Sequence, residues 1–130
     1  MAIAATPTGL LAYVQKNPQF RFAYDSYEPD LAMIEKINAA LPAARVLIVG
    51  EYWCGDSRRL VPRMARIADH MPGWTFETLP WDGATRGKPL QVRAIPSFIV
   101  FNGEEELGRI TENPVQGSLE GDLLEIARKT

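Results

Sequence analysis

Short apolar runs mark four predicted strands along the chain. Residues 46–51 open with four consecutive apolar side chains, mostly β-branched, which is typical of a strand covered on both faces. Residues 74–81 alternate between apolar and polar side chains, a second strand pattern. Residues 97–101 and 107–111 complete the set, and Asn102-Gly103 between them is a hairpin signal.

Between and around these runs, apolar side chains recur every three or four residues, the spacing of amphipathic helices. Asp30 and Ser118 are the residue types that cap helix N-termini, and Thr8 is a further candidate. The pattern predicts helices over residues 9–15, 31–41, 54–70 and from Ser118 onward.

Two other segments carry weaker patterns. Residues 20–27 hold four aromatic side chains with partial alternation, which favours an extended piece lying against the domain. Residues 82–88 are polar and rich in glycine, and residues 89–92 indicate a short helical turn. We therefore expect an extended segment that covers the core over residues 20–27, and a polar stretch followed by a short helical turn over residues 82–92.

The order of these elements predicts an α/β fold with a central mixed sheet of about four strands. A strand, a helix and a strand follow one another over residues 46–81, a crossover that implies a parallel pair. A chain of 130 residues is long enough for one core and too short for two ordinary ones. We predict a single domain over residues 1–130, with residues 45–130 as its core and residues 1–44 as an N-terminal helical extension.

Composition excludes several functional classes. The net charge is −2, and the basic residues are scattered apart from one cluster near residue 60, so no stripe tracks a nucleic acid. No apolar run approaches the roughly 18 residues of a membrane span. The first residues lack a basic flank and Pro7 interrupts them, so we predict no signal peptide. Because the one cysteine excludes an internal disulfide, we expect a cytoplasmic protein. We also expect it to be a monomer.

Cys54 lies at the junction between the first predicted strand and the following helix. Unpaired N–H groups and the helix dipole favour a thiolate there, and the thiolate is the nucleophilic form of cysteine. Arg58 and Arg59 add to this effect, whereas Asp56 opposes it. His70 lies roughly 24 Å further along the helix, so it is neither a base for Cys54 nor a partner in a metal site. We predict no metal and no cofactor.

Two motifs resemble those of thioredoxin-like proteins. Trp53-Cys54-Gly55-Asp56-Ser57 is similar to their Trp-Cys-Gly-Pro-Cys active site, and closer to members that read Trp-Cys-x-Asp-Cys before basic residues and Val-Pro. The segment from Arg93 to Phe101 resembles the Ile-Pro turn that leads into a central strand of the family. The resemblance covers about Arg45 to the C-terminus. It implies a thioredoxin-like three-layer α/β/α fold with a cis peptide at Pro96 beside Cys54.

This sequence departs from the family pattern at two positions. Ser57 stands where a dithiol protein has its second, resolving cysteine, and Ile48 stands where many thioredoxins have a buried aspartate. A hydroxyl does not take part in disulfide exchange, so we expect Ser57 to hydrogen-bond the thiolate instead. The resemblance implies that the catalytic residues are Cys54, Ser57 and Pro96, and that the substrate is contacted by Trp53, Gly55, Asp56 and Ile95.

The predicted function is monothiol thiol–disulfide exchange through Cys54. Its partners are a disulfide-containing or glutathionylated protein and a low-molecular-weight thiol, such as glutathione, that resolves the mixed disulfide. Two alternatives stay open. The first alternative is a redox-inactive module that binds extended peptides around Trp53 and Pro96. The second is a dithiol oxidoreductase whose resolving cysteine has been replaced by Ser57.

Overall fold

The structure is a computed structural model that describes residues 7–130. Residues 1–6, over which the sequence predicts no signal peptide, lie outside the described part. Over residues 7–130 five strands form one mixed sheet in the order β1-β3-β2-β4-β5. The strands are β1 (Thr8–Gly9), β2 (Ala44–Val49), β3 (Trp74–Leu79), β4 (Ser97–Asn102) and β5 (Glu105–Thr111).

The sheet contains the predicted parallel pair at its centre. β2 and β3 run parallel with Ala44 beside Trp74 and Val49 beside Leu79. β4 is antiparallel to β2 on the other side, and β5 is antiparallel to β4. Gly103, at a φ of 64°, makes the tight turn of the β4–β5 hairpin.

The helices of the described chain are α1 (Leu10–Lys16), α2 (Arg21–Ser26), α3 (Leu31–Ala40), α4 (Gly55–Ala68), α5 (Gly83–Arg86) and α6 (Leu119–Ala127). Two predicted caps are confirmed. The Asp30 carboxylate accepts from Met33 N–H at 3.1 Å, and the Ser118 hydroxyl accepts from Gly121 N–H at 3.0 Å. No helix formed by residues 7–130 is long and apolar enough to cross a membrane.

Three predictions about local structure were wrong. Residues 20–27 are not an extended segment: Pro18–Phe20 form a 3₁₀ turn and Arg21–Ser26 form α2, and Phe20, Tyr24 and Tyr27, at spacings of four and three, pack on the core. Thr8 does not cap α1 but pairs with Thr78 in β1, a strand too short to leave a pattern, so the sheet has five strands and not four. The polar segment before residue 88 contains α5, whose N-terminus Asp82 caps.

The two faces of the sheet are covered differently. Val46 and Ile48 of β2 point into a large core shared with α1, α3, α4 and α6. Leu47 and Val49 point to the other face, into a smaller core covered by residues 80–96. The end of β2 therefore lies between the two cores, and residues 50–54 lead from it directly into α4.

Candidate functional site

Cys54 is the N-cap residue of α4 and is partly exposed. Its backbone is extended (φ −88°, ψ 126°), and its carbonyl accepts from Arg58 N–H at 2.9 Å, which starts the helix. Its own N–H donates to the Glu51 carbonyl at 3.1 Å, closing the turn that follows β2. The thiol is thus placed at the unpaired N–H end of a 14-residue helix, where the dipole favours negative charge.

The Ile95–Pro96 turn lies directly against this thiol. Cys54 Sγ is 3.9 Å from the Ile95 carbonyl oxygen, to which its S–H donates a long hydrogen bond. The peptide bond between Ile95 and Pro96 is cis, as is the one between Lys88 and Pro89. Ile95 is 8% exposed, and its side chain belongs to the smaller core against which Cys54 also packs. Two predicted site residues that are 41 positions apart in the sequence are therefore neighbours.

Ser57 lies below the surface of the same helical turn, fully buried at 0% exposure. Its hydroxyl oxygen accepts a hydrogen bond from Glu51 N–H at 3.2 Å. The predicted hydrogen bond between Ser57 and Cys54 is not formed, because the hydroxyl faces the turn at residues 50–51 and not the sulfur. A Cβ at Gly50 would be 3.1 Å from the Ser57 hydroxyl oxygen, so the absence of a side chain at Gly50 makes room for it.

The carboxylates nearest to Cys54 in the sequence each have a partner. Asp56 pairs with Arg59 at 3.1 Å, and the same guanidinium donates to Asn113 at 2.6 Å. Glu51 accepts from Trp81 N–H at 2.9 Å. Both side chains therefore fix the loops around the thiol: Glu51 ties the turn after β2 to the turn after β3.

Aromatic and small residues form the outer rim of the site. Trp53 is 57% exposed and Tyr52 beside it is also exposed, although both are large apolar side chains. Gly55, the first residue of α4, is exposed and its missing side chain leaves open space next to Cys54. Trp53 precedes Cys54 in the chain, and the Ile95 carbonyl oxygen lies 3.9 Å from the sulfur.

Tyr13 of α1 is a neighbour of the site that the sequence did not reveal. Its hydroxyl donates to the Gly50 carbonyl at 3.4 Å. Burial, with the Glu51 carboxylate and Tyr52 adding to it, raises the pKa of Tyr13 to about 12. The phenol therefore stays neutral over the pH range in which a cysteine thiol reacts.

Ile48 stands at the position where many thioredoxins have a buried aspartate, and its surroundings are apolar. Ile48 is 1% exposed and lies in the large core with Met64 and Phe98. His70 lies two residues beyond the end of α4 and is exposed. Within residues 7–130, no group of three or more His, Cys, Asp or Glu side chains is arranged to hold a metal ion.

The sequence comparisons and the structural comparisons agree on the fold. A family described as thioredoxin matches residues 10–118. The 1.5 Å crystal structure of PA1234, a protein of unknown function from Pseudomonas aeruginosa, superposes with a TM-score of 0.75 at 19% identity, covering 99% of this chain and 97% of that one. The crystal structure of an HIV epitope scaffold superposes with a TM-score of 0.72, also at 19% identity, covering 95% of this chain and 92% of the scaffold.

No curated protein matches the chain. The identity to both solved structures is too low to carry more than the fold, whereas the family match extends over most of the sequence, including both motifs. The predicted thioredoxin-like α/β fold with a mixed central sheet is confirmed, and the chain belongs to the thioredoxin family.

Proposed function

We propose that this protein carries out monothiol thiol–disulfide exchange through Cys54, in a reducing compartment such as the cytoplasm. The observation that supports this proposal is the position of a partly exposed thiol at the start of α4, 3.9 Å from the Ile95 carbonyl, with a buried serine one helical turn further on. Family membership makes exchange the first chemistry to test.

The reaction proceeds in two steps that balance without any further reagent. The Cys54 thiolate attacks one sulfur of a protein disulfide or glutathionylated protein, so that a new S–S bond to Cys54 forms and the other sulfur leaves as a thiolate that takes up a proton. A low-molecular-weight thiol then attacks the mixed disulfide, forms a disulfide with the released group and returns Cys54 to the thiolate. Ser57 has no sulfur with which to take over this second step.

The test is capture of a mixed disulfide by mass spectrometry. The protein is incubated with a glutathionylated peptide, and we expect one adduct per chain on Cys54 together with release of the free peptide thiol. The Cys54→Ser variant, which keeps the shape of the site, should form no adduct. Absence of an adduct on the parent protein over a range of pH from 7 to 9 would overturn the proposal.

The Ser57→Cys variant separates the monothiol route from a dithiol one. A cysteine at this position has the sequence spacing of the family's resolving thiol, so the variant is expected to reduce insulin disulfides with a dithiol reductant, which the parent does not. If Ser57→Cys also fails in this assay while forming the adduct on Cys54, the machinery of a dithiol oxidoreductase is lacking beyond the serine itself.

A redox-inactive peptide-binding module is the second candidate, favoured by the exposure of Tyr52 and Trp53, which directly precede Cys54 in the chain. The same capture experiment distinguishes it. A binding module keeps its peptide partners in the Cys54→Ala variant and loses them in Trp53→Ala, whereas an exchange protein loses its covalent complexes in Cys54→Ala.

A further inference from the structure

A cavity of about 440 Å³ opens at the start of α4, at the residue that follows Cys54, on the side of the N-terminal extension. It lies between α2 and the first turns of α4, and Gly55, the residue after Cys54, forms part of its wall. The side chains that matter for its chemistry are Phe22, Tyr27, Arg58, Arg59 and Arg63. We call this cavity the basic pocket.

Positive charge dominates the basic pocket. Three of its lining residues are arginines, and none of those that line it within the described chain is an aspartate or a glutamate. This is a local feature, since the chain as a whole carries a net charge of −2. A pocket of one sign with partly apolar walls concentrates ligands of the opposite sign.

Two of the three arginines have no carboxylate as an ion-pair partner among residues 7–130. Arg59 is paired with Asp56 at 3.1 Å. Among residues 7–130, neither Arg58 nor Arg63 forms an ion pair, and the Arg63 guanidinium instead lies over the Tyr27 ring, 5.2 Å from its centre. Two guanidinium groups are thus left to bind carboxylates, for which their planar geometry is well suited.

The wall formed by residues 19–27 is mixed: Phe22, Ala23 and Tyr27 supply apolar surface, and Gln19 and Ser26 are polar. Phe22 is 81% exposed, which is unusual for a phenylalanine. The pocket therefore suits a ligand with an aliphatic stem between negatively charged ends. Its volume is within the range of about 300–1,000 Å³ that holds small molecules.

Spacing along α4 gives the size of this ligand. Arg58 and Arg63 are five positions apart, a rise of about 7.5 Å, and Cys54 lies one turn before Arg58. An extended tripeptide spans at most roughly 10–11 Å. Arg63 is nine positions after Cys54, a rise of about 13.5 Å, but side chains on a helix lean toward its N-terminus, and Arg63 lines the same pocket as Gly55. A tripeptide-sized group attached to Cys54 therefore contacts Arg58 and extends toward Arg63.

We propose that the basic pocket binds the carboxylates of an anionic low-molecular-weight thiol while its sulfur is joined to Cys54. This inference rests on the proposed exchange function and names its small-molecule partner by chemistry: a flexible peptide-like thiol with two carboxylates. The Cys54 thiolate attacks the sulfur of that group in a disulfide, the Cys54–S bond forms as the old S–S bond breaks, and the leaving sulfur takes up a proton. A second thiol then displaces the bound group as its disulfide.

The test compares small disulfides of different charge. Rate constants for the reaction of Cys54 are measured with glutathione disulfide, which is anionic, with neutral 2-hydroxyethyl disulfide and with cationic cystamine. The ratio of the anionic to the neutral rate is compared between proteins, because intrinsic differences between the disulfides cancel in that comparison. We expect this ratio to fall on the order of tenfold in the Arg58→Ala/Arg63→Ala variant. The ratio of the cystamine rate constant to the neutral rate constant should rise in the same variant.

A matched control is available at the other end of the chain. Arg128 and Lys129 are exposed after α6, so the Arg128→Ala/Lys129→Ala variant makes the same change in net charge away from the pocket. It should keep the parent ratio within about twofold. An equal fall in both double variants, or no fall in the pocket variant, overturns the inference. Arg58→Ala alone removes an exposed side chain and keeps the contact between Arg63 and the Tyr27 ring. It therefore separates the effect of lost charge from the effect of losing that contact.

A binding measurement without chemistry separates this inference from the proposed function. S-methylglutathione, which has no free thiol, is titrated against the Cys54→Ser protein by NMR. We expect shifts at residues of α2 and the start of α4, absent in the Arg58→Ala/Arg63→Ala background. If no disulfide reacts with Cys54 but this ligand binds, exchange is wrong and the pocket stands. If all disulfides react with unchanged ratios and this ligand does not bind, the pocket is wrong and exchange stands.

Discussion

Tyr13 shows how a single side chain at the site responds to its surroundings. Its hydroxyl is held against the Gly50 carbonyl at 3.4 Å, on the turn that also presents Glu51. Removing the phenol from water and placing it near a carboxylate both disfavour the phenolate, and the pKa of Tyr13 rises to about 12. Since tyrosine is neutral when protonated, a raised pKa means that the folded protein holds the Tyr13 proton more tightly than the unfolded chain does.

The sign of the resulting pH dependence follows directly. The contribution of the protonated Tyr13 to the free energy of unfolding is fully present below its unfolded pKa of about 10. It is lost as the pH rises through the folded pKa of about 12. Stability of the parent should therefore fall more steeply between pH 10 and 12 than that of Tyr13→Phe, which has no proton to lose. Urea unfolding midpoints at pH 9, 10, 11 and 12 measure this difference. Parallel curves for the two proteins would contradict it.

The individual site residues were predictable to different degrees. Cys54, Trp53 and Pro96 were selected as candidates from the sequence because short motifs surround them, and the structure places the Cys54 sulfur 3.9 Å from the carbonyl of Ile95, the residue before Pro96. The surroundings of Ser57 could not be predicted in this way. Its hydrogen-bond partner is the N–H of Glu51, which is set by the path of the turn after β2 and leaves no trace in residue types or spacing.

At the scale of elements, one buried carboxylate joins the N-terminal extension to the last helix. Glu120, in the first turn of α6, is 0% exposed. It accepts from the Tyr27 hydroxyl at 2.7 and 2.8 Å and from Asp30 N–H at 2.8 Å. The helix dipole adds stabilisation to a carboxylate at this end of α6. Burial and this bond to Glu120 raise the pKa of Tyr27.

Removing the Tyr27 hydroxyl should therefore cost more than a surface hydrogen bond. Tyr27→Phe leaves a buried carboxylate short of a donor, and we expect a loss of about 1–3 kcal/mol in the free energy of unfolding. Tyr24→Phe is the matched control, since it removes the same atom from an exposed bond to Asp69 at 2.7 Å and should cost under about 1 kcal/mol. Urea denaturation at pH 7 measures both. Equal losses would mean that Glu120 finds another donor or a water.

Element predictions failed where the signal was short or ambiguous. α2 was interpreted as extended because its exposed Phe22 made the aromatic pattern resemble alternation, although Phe20, Tyr24 and Tyr27 alone have helical spacing. β1 consists of two residues, Thr8 and Gly9, whose pairing is decided by the neighbouring β3 and not by their own propensity. The long, strongly periodic α4 was predicted within two residues of both ends, and the start of α6 was predicted at its Ser118 cap.

The same misassignment hid the basic pocket. The sequence revealed the cluster of arginines after Cys54, but the other wall of the cavity belongs to α2. An extended segment at residues 20–27 would not have placed Phe22 and Tyr27 opposite Arg58 and Arg63. A cavity between two elements is visible only once both elements and their packing are known.

For the molecule as a whole, the N-terminal extension is part of the core and not an addition to it. Residues 10–41 bury six large apolar side chains in the same cluster as α4 and α6: Leu10, Val14, Phe20, Ile34, Ile37 and Leu41. Full burial of one such side chain contributes about 1.5–3 kcal/mol. Together the six are comparable with the total stability of a typical domain, about 5–15 kcal/mol.

Division of the chain at residue 45 should therefore leave a core that does not fold by itself. We expect a fragment of residues 45–130 to show no cooperative thermal transition by circular dichroism, because its exposed α4 and α6 faces lose their cover. Addition of a separate peptide of residues 1–44 should restore part of the transition if the packing alone is responsible. Phe20→Ala in the full chain provides a graded version, with an expected loss of about 3–5 kcal/mol for a phenylalanine that is completely buried. A fragment that unfolds cooperatively at the temperature of the full chain would show instead that residues 45–130 form a complete core by themselves.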